Sequence, residues 1–460
     1  MRVQPGRSAG RFAEATDGLL ERLNNSTAVD LRLWPHDLVG SRVHARMLRA
    51  VGLLSADDLA AIERGLEAVE AEFAAGSFAL QPADEDVHMA VERRLTELIG
   101  EPARRLHTGR SRNDQVMVDS LLWLRDDLDR TVQDLAHLAG LLLERAEHAL
   151  EVPMPLYTHY QPAQVGSVGF WLVSHAAAAC RQLRRATDLA ARLDECPLGA
   201  GAVGGGYLPL DRALTAHQLG FARPSPNALY ATASRSDLLD AVALFASIGV
   251  DLSRLGEELV LFTSPAYGFL RLPDRLCTGS SLLPHKRNPD GAELLRSGGK
   301  LAAGEFAALA SVTSGLLGGY SKDLQHDKAL LFAASDRTHD LIALAALHVA
   351  GVELVPDRLA EACAPALAAL YLADRLVLSG MSFREAHHVV GQAARVADET
   401  GTTVQGALAG VVPPALVTLA AELATARTPD LLAGLRTAGS ASPESCRQQI
   451  VELRSRIALA

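Results

Sequence analysis

The chain has 460 residues, enough to bury a sizeable core in one to three domains. Leucine and alanine dominate and aromatics are only 5%, which favours helices over sheets. A net charge of −10 with no long basic tract argues against a nucleic-acid binder, although local cationic loops can still hold small anions.

Residues 1 to about 30 are polar and are expected to be extended or loosely ordered, with Asn24-Asn25-Ser26-Thr27 as a turn or helix cap. A helical pattern starts at Leu31 and runs through Ser41 and His44 to Gly52. Ser55-Ala56-Asp57-Asp58 caps a second helix reaching about Phe73. Asp84-Glu85-Asp86-Val87-His88 opens a third, with Val91, Leu95 and Ile99 on one face and Gly100 at its end. After the polar, cationic loop Leu106–Asp114, a long helix is predicted from about Gln115 to Glu151.

Pro153, Pro155 and Pro162 bracket a second polar loop, Tyr157-Thr158-His159-Tyr160-Gln161. Further long helices are predicted over about Gln164–Leu193, Ser236–Thr263, Gly291–Ser314 and Asp327–Val352. The glycine-rich stretch 197–212 is not a dinucleotide fingerprint, since no strand and no βαβ pattern are expected around it. Pro356 marks a break, and shorter helices fill 358–460. The expected organisation is an N-terminal helical domain (1–108), a central long-helix domain (109–357) and a C-terminal helical domain (358–460).

Five cysteines, widely spaced and without a Cys-x-x-Cys pair, suit a reducing, cytoplasmic setting with neither a disulfide framework nor a zinc site. Cys277 reads as a packing residue. No apolar run reaches the roughly 18 residues of a membrane span, and the N-terminus lacks a signal-peptide core.

The polar loops at the helix ends carry the chemistry. Thr278–Glu293 is the most distinctive: Gly279, Ser280 and Ser281 form a hydroxyl-rich turn, Pro284 and Pro289 forbid a continuous helix, and His285 to Asn288 supply cations and an amide. Lys286, Asn288, Thr158 and Ser111 are candidates for binding carboxylates. His159 can exchange protons near neutral pH, with Glu293 as a candidate partner. No metal cluster and no phosphate loop is apparent. A metal-free anion site with a proton donor and acceptor fits β-elimination from a carboxylic acid, in which a carbanion beside a carboxylate must be stabilised electrostatically.

Gly279–Asn288 carries Gly-Ser-Ser-x-x-Pro-x-Lys-x-Asn, and His107–Gln115 reads His-Thr-Gly-Arg-Ser-Arg-Asn-Asp-Gln. With Asp84–His88, Glu92–Leu95 and Tyr320–Lys328, these stretches resemble the argininosuccinate lyases of the fumarase/aspartase superfamily, from Gly10-Arg11-Phe12 into the C-terminal region. The resemblance implies an all-α, three-domain fold whose long helices pack into one bundle shared in a homotetramer, each active site drawing loops from three subunits. It implies reversible cleavage of an N-substituted aspartate to release fumarate, without cofactor or metal.

Residue by residue, it implies Ser280 as the base, His159 with Glu293 as the acid, and Thr158, Ser281, Lys286 and Asn288 around the fumarate-forming carboxylates. Ser26, Asp30, Arg112, Asn113, Tyr320, Gln325 and Lys328 match positions that bind the arginine part. His88 is expected in the pocket wall.

Three departures from the family pattern lie near that site. His285-Lys286-Arg287-Asn288 replaces the usual Gln-Lys-Lys-Asn, resembling adenylosuccinate lyase. The stretch Ala228–Ser236 keeps an arginine, Arg235, but lacks three aspartates, and Gly204–Tyr207 replaces an Ala-Gly-Thr-Thr-like segment. These leave two alternatives: a same-mechanism lyase for another N-substituted aspartate, such as an aminopolycarboxylate or a specialised-metabolite aminosuccinate, and a catalytically silent structural homologue.

Overall fold

The computed structural model describes residues 16–459, so Gly10-Arg11-Phe12 lies outside the described residues. The first helices are α1 (Trp34–Ala50), α2 (Ala56–Ala74) and α3 (Val87–Ile99). Ser55 and Asp58 form the expected capping box of α2, and Gly100 ends α3 at a positive φ of 68°. Residues 16–30 are more ordered than expected: Gly18–Asn24 and Thr27–Asp30 are short helices, because Asp17 caps the first and the second is tied through Thr27 Oγ1 to Asp84 O.

The long helices follow as α4 (Arg112–Glu147), α5 (Val168–Arg192), α6 (Ser236–Thr263), α7 (Asp290–Thr313) and α8 (Asp327–Gly351). Two of these starts differ from the sequence reading, and α4 ends at Glu147 where about Glu151 was expected. α4 starts at Arg112, so Arg112-Asn113-Asp114 belongs to its first turn instead of a loop. α5 starts at Val168, because residues 153–167 form an antiparallel hairpin of β1 (Pro153–Thr158) and β2 (Gln161–Ser167). A two-residue strand, Glu195–Cys196, does precede the glycine-rich stretch, pairing in parallel with Arg223–Pro224. It is too short to make a βαβ unit. Leu270–Arg271 pairs antiparallel with Glu353–Leu354, and the shorter helices after Pro356 are as expected. No described helix is long and apolar enough to cross a membrane.

By internal contacts the chain forms two compact units. One comprises the described part of residues 1–130 with 186–245 and 303–336; the other comprises 131–185, 246–302 and 337–460. In the first, Leu38, Met47 and Leu48 of α1, Ile62, Leu66 and Val69 of α2 and Val91 and Leu95 of α3 are buried. Gly65 allows α2 to approach α3 closely, since a Cβ there would stand 2.5 Å from Leu95 Cδ1. In the second, Leu138 and Leu142, Ile248 and Leu252, Leu295, and Ile342 and Ala345 are buried. Leu372, Leu376, Val390, Leu408 and Leu423 form a separate apolar cluster towards the C-terminus.

In the second unit α6 and α7 touch backbone to backbone. A Cβ at Gly299 would stand 1.9 Å from Gly249 O, and one at Gly256 would stand 2.6 Å from Arg296 N. Ser253 Oγ donates to Arg296 O at 2.7 Å across the same seam. Gly299→Ala is therefore expected to cost about 1–3 kcal/mol by overpacking. Urea denaturation checks this; an unchanged midpoint would contradict so close a crossing.

Candidate active site

The Thr278–Glu293 stretch folds as a loop closed at its base and continued by α7. Thr278 N donates to Asn288 O at 3.1 Å, Asn288 N returns a bond to Thr278 O at 2.9 Å, and Thr278 Oγ1 bonds Asp290. Inside the loop, Ser280 Oγ accepts from Leu282 N at 3.3 Å and from Leu283 N at 3.1 Å. Two backbone donors on one hydroxyl oxygen would also stabilise that oxygen as an anion. Asn288 Nδ2 donates to Gly279 O at 3.3 Å. Ser281, Lys286 and Glu293 are exposed, and Ser280 and Asn288 are half-buried. Arg287 anchors the loop from outside, donating to Leu272 O at 2.8 Å, pairing with Asp274 at 2.9 Å and standing 3.7 Å from Cys277 Sγ.

Thr158 and His159 lie at the tip of the hairpin. Thr158 pairs with Gln161, leaving His159 and Tyr160 as a two-residue turn with φ of 53° and 57°. Such turns need positive φ at both central positions and usually carry Asn-Gly. A histidine and a tyrosine held there are conformationally costly, and such strain clusters at functional sites. The two residues border a cleft of about 430 Å³ with Tyr157, Trp171, Glu258 and Tyr267. Glu258 accepts from Trp171 Nε1 at 2.8 Å and faces His175 Nε2 at 2.6 Å. Burial works against the Glu258 charge, but the His175 and Trp171 donors outweigh it and hold the carboxyl below its usual range. Sequence reasoning did not single out these three residues, because they lie in apolar helical stretches. Within one chain Glu293 stands beside Arg296, at 3.6 Å, and among the described residues no contact joins it to His159.

In the first unit, the 107–115 segment is fixed from both sides. Asp114 accepts from Ser111 N at 2.9 Å, Gly199 N at 3.0 Å and Gly201 N at 2.8 Å. Gly199 and Gly201 have φ of 85° and 70°, so the glycine-rich stretch wraps a carboxylate, with no nucleotide role needed to explain it. Burial pushes Asp114 up to about 6 despite those donors. Asn113 Nδ2 donates to Ala202 O at 3.1 Å, and Arg112 Nε pairs with Asp86 Oδ2 at 2.9 Å. Ser111 Oγ accepts from Asn113 N at 3.3 Å.

Ser26, Asp30 and Lys328, three of the positions matched to the arginine part, lie together. Ser26 Oγ bonds Asp30, and Lys328 Nζ lies 3.5 Å from Asp30 Oδ1 and 3.3 Å from Asp327 Oδ1. Arg235 Nε closes the group at 2.5 Å from Asp327 Oδ2. Arg235 thus keeps a carboxylate partner although its neighbouring aspartates are missing. Burial opposes the charge on Lys328, but Asp327 and Asp30 hold its pKa above the usual value; burial likewise opposes Asp327, but Lys328 and Arg235 hold it below. Tyr320 is half-buried, its pKa raised by burial and eased by Lys328. Gln325 is half-buried in the turn Lys322–His326. Tyr230, Ser234 and Ser236, from the stretch that departs from the family pattern, line a cleft of about 300 Å³ with Arg235, Leu317 and Gly318.

His88 lies in the interior, not on a cleft surface. It is 2% exposed, and its Nδ1–H donates to Asp37 Oδ1 at 2.9 Å. With Asp119 it forms a buried His/Asp group whose donor atoms lie within 4.8 Å of one another. Linear spacing gave no sign of that cluster, since it gathers residues 37, 88 and 119 from three helices.

A family model described as "Lyase" matches residues 10–304, and one described as "Argininosuccinate lyase C-terminal" matches residues 366–409. An argininosuccinate lyase of Hyphomonas neptunium is 42% identical over 451 residues, covering 97% of each chain; one of Roseiflexus castenholzii is 40% identical, covering 97% of this chain and 98% of that one. Among solved structures, EDDS lyase in complex with formate is 26% identical with a TM-score of 0.77, covering 95% of this chain and 88% of the other. An EDDS lyase variant with bound fumarate, at 24% identity and a TM-score of 0.81 over 97% of this chain and 91% of that one, shares the fold. Helical architecture, signature loop and near-full-length identity agree, and the chain belongs to the argininosuccinate lyase family.

Proposed function

We propose that the protein cleaves argininosuccinate to arginine and fumarate by β-elimination. The observation that carries this is identity of 42% across 97% of both chains to an argininosuccinate lyase. The group of half-buried Ser26 with buried Asp30 and Lys328 supports it as a polar seat for a guanidino amine.

In this reading Ser280 acts as its alkoxide, having given up its hydroxyl proton to solvent before the substrate is enclosed; the Leu282 and Leu283 N–H groups and Lys286 stabilise the charge on Oγ, which then takes the Cβ proton. The electron pair moves into the adjacent carboxylate, giving an aci-carboxylate that Lys286, Asn288, Thr158 and Ser281 stabilise. Its collapse breaks the Cα–N bond, and His159, oriented by Glu293, protonates the departing nitrogen. Ser111, Arg112, Asn113, Tyr320 and Gln325 hold the arginine end, and His88 acts from behind them.

A homotetramer is part of the proposal. His159 and Glu293 do not meet within a chain, and Val250, Leu294, Leu301 and Leu347 on α6, α7 and α8 are exposed apolar residues suited to a shared bundle. The separate apolar cluster after residue 367 supports the C-terminal segment 358–460 as a domain, with 1–108 and 109–357 as the others. The setting proposed is cytoplasmic.

Purified protein given argininosuccinate should release fumarate, read by ultraviolet absorbance. A second reading, a lyase for another N-substituted aspartate, is favoured by the Tyr230 cleft. Fumarate from such a compound but none from argininosuccinate would replace the first reading with the second. His159→Asn should lower kcat by about 10²-fold while substrate binding stays measurable; an unchanged rate removes the acid role.

A further inference from the structure

Asp37, Ser41 and His44 lie on one face of α1, and each reaches towards the substrate segment or its base. Asp37 Oδ1 accepts from Gln115 Nε2 at 2.5 Å, Ser41 Oγ accepts from Arg110 Nη1 at 2.9 Å, and His44 Nε2–H donates to Thr108 O at 3.0 Å. This face therefore fixes the backbone that presents Ser111, Arg112 and Asn113. At its centre two carboxyls share one imidazole: His88 Nδ1 stands 2.9 Å from Asp37 Oδ1 and 3.3 Å from Asp119 Oδ2. Asp37, His88 and Asp119 are each at most 2% exposed. Among the described residues Asp37 Oδ2 and both Asp119 oxygens accept no hydrogen bond, so the cluster has more acceptors than donors.

Two adjacent buried carboxylates with bare oxygens are too costly to be both ionised. A proton between them supplies the missing donor, and a cation would supply a missing charge. Arg110 and Arg112 already place positive charge at this cluster, acting on both acids. One remaining negative charge suffices to face them.

We propose that Asp37 and Asp119 are positioning residues that hold one proton between them, so that the pair always presents a single negative charge to His88, Arg110 and Gln115 and thereby locks the 107–115 substrate segment. The facing groups are His88 from α3, Arg110 and Arg112 from the segment itself and its junction with α4, and the neutral Gln115. His44, also on α1, is held neutral by burial and Arg110, its pKa pushed down to about 3. The charge asymmetry agrees with the geometry. Burial and the nearby Asp37 charge drive Asp119 well above the usual carboxyl range; burial also opposes Asp37, but His88, Arg110 and Arg112 hold it below. The inference rests on the reading that Arg112 and Asn113 grip the arginine end of the substrate.

The test compares wild type, Asp119→Asn and Asp37→Asn/Asp119→Asn as full-length protein. Inhibition of fumarate release by arginine and by fumarate is measured, together with deuterium exchange of residues 107–114 and of α2. Asp119→Asn keeps one ionised carboxyl, so arginine and fumarate inhibition should stay within about twofold of wild type, with exchange unchanged. The double variant should weaken arginine inhibition by about tenfold or more, leave fumarate inhibition within about twofold, and speed exchange at 107–114 but not in α2.

The proposal is overturned if Asp119→Asn alone weakens arginine inhibition about tenfold, if the double variant behaves as wild type, or if arginine and fumarate inhibition weaken together, which is simple loosening of the fold. A stoichiometric divalent metal in the wild type, lost in Asp119→Asn, also overturns it. Should the double variant not fold, Asp119→Asn still decides. Failure of the functional reading appears in the wild type alone, as absent fumarate from argininosuccinate. The exchange measurements need no substrate and judge the positioning role regardless.

Discussion

Ser280→Ala should reduce kcat on argininosuccinate by on the order of 10³-fold or more, the scale of losing a positioned base, with the oligomer intact by light scattering. The side-chain oxygen accepts two backbone hydrogen bonds, from Leu282 N and Leu283 N. In the ground state this is a serine-capped turn, and losing it would cost little activity. The functional reading asks more of the same two donors, because they lower the cost of placing negative charge on Oγ. A drop of less than about tenfold would leave only the turn-capping role and move the base elsewhere.

Asp327→Ala is expected to destabilise the protein by about 3–5 kcal/mol, because it strips Arg235 and Lys328 of a partner where water cannot replace it. Arg235, Asp327 and Lys328 are each at most 4% exposed. The pH dependence follows from the same group. Asp327 has a depressed pKa in the fold, so its contribution is present above the ordinary carboxyl pKa and is lost as pH falls through the folded value. Lys328 is raised, so its contribution is present below the ordinary lysine pKa and disappears as pH rises through the folded value. Denaturant midpoints across pH should show both losses in the wild type; Asp327→Ala should lack the acid-side loss of that origin and keep only the smaller base-side loss that Asp30 sustains on Lys328. A wild-type-like midpoint for the variant would mean that the buried charges are not held as described.

The helices were readable because their apolar residues recur at helical spacing and their ends carry standard signals. Ser55 with Asp58 and the terminal Gly100 mark boundaries that the fold keeps. The hairpin was not readable: Pro153, Pro155 and Pro162 suggest a loop, and His159-Tyr160 is not the Asn-Gly pair that announces a two-residue turn. The loops at 107–115 and 278–293 stood out by composition and by resemblance. The acids behind the first of them did not. Asp37 and Asp119 sit in amphipathic helices, where a carboxylate ordinarily reads as solvent-facing, and only folding shows that they point inward. The Arg235–Asp327 pair was equally hidden, because its members lie 92 residues apart.

The strained hairpin tip sets a limit on engineering. Replacing His159-Tyr160 by Asn-Gly would relax two left-handed residues and should raise thermal tolerance, while removing the imidazole to which the proposed mechanism assigns amine departure. Stability and turnover are thus opposed at two adjacent positions, and a consensus-guided search for heat resistance would drift towards a sturdier, slower enzyme unless that turn is held fixed.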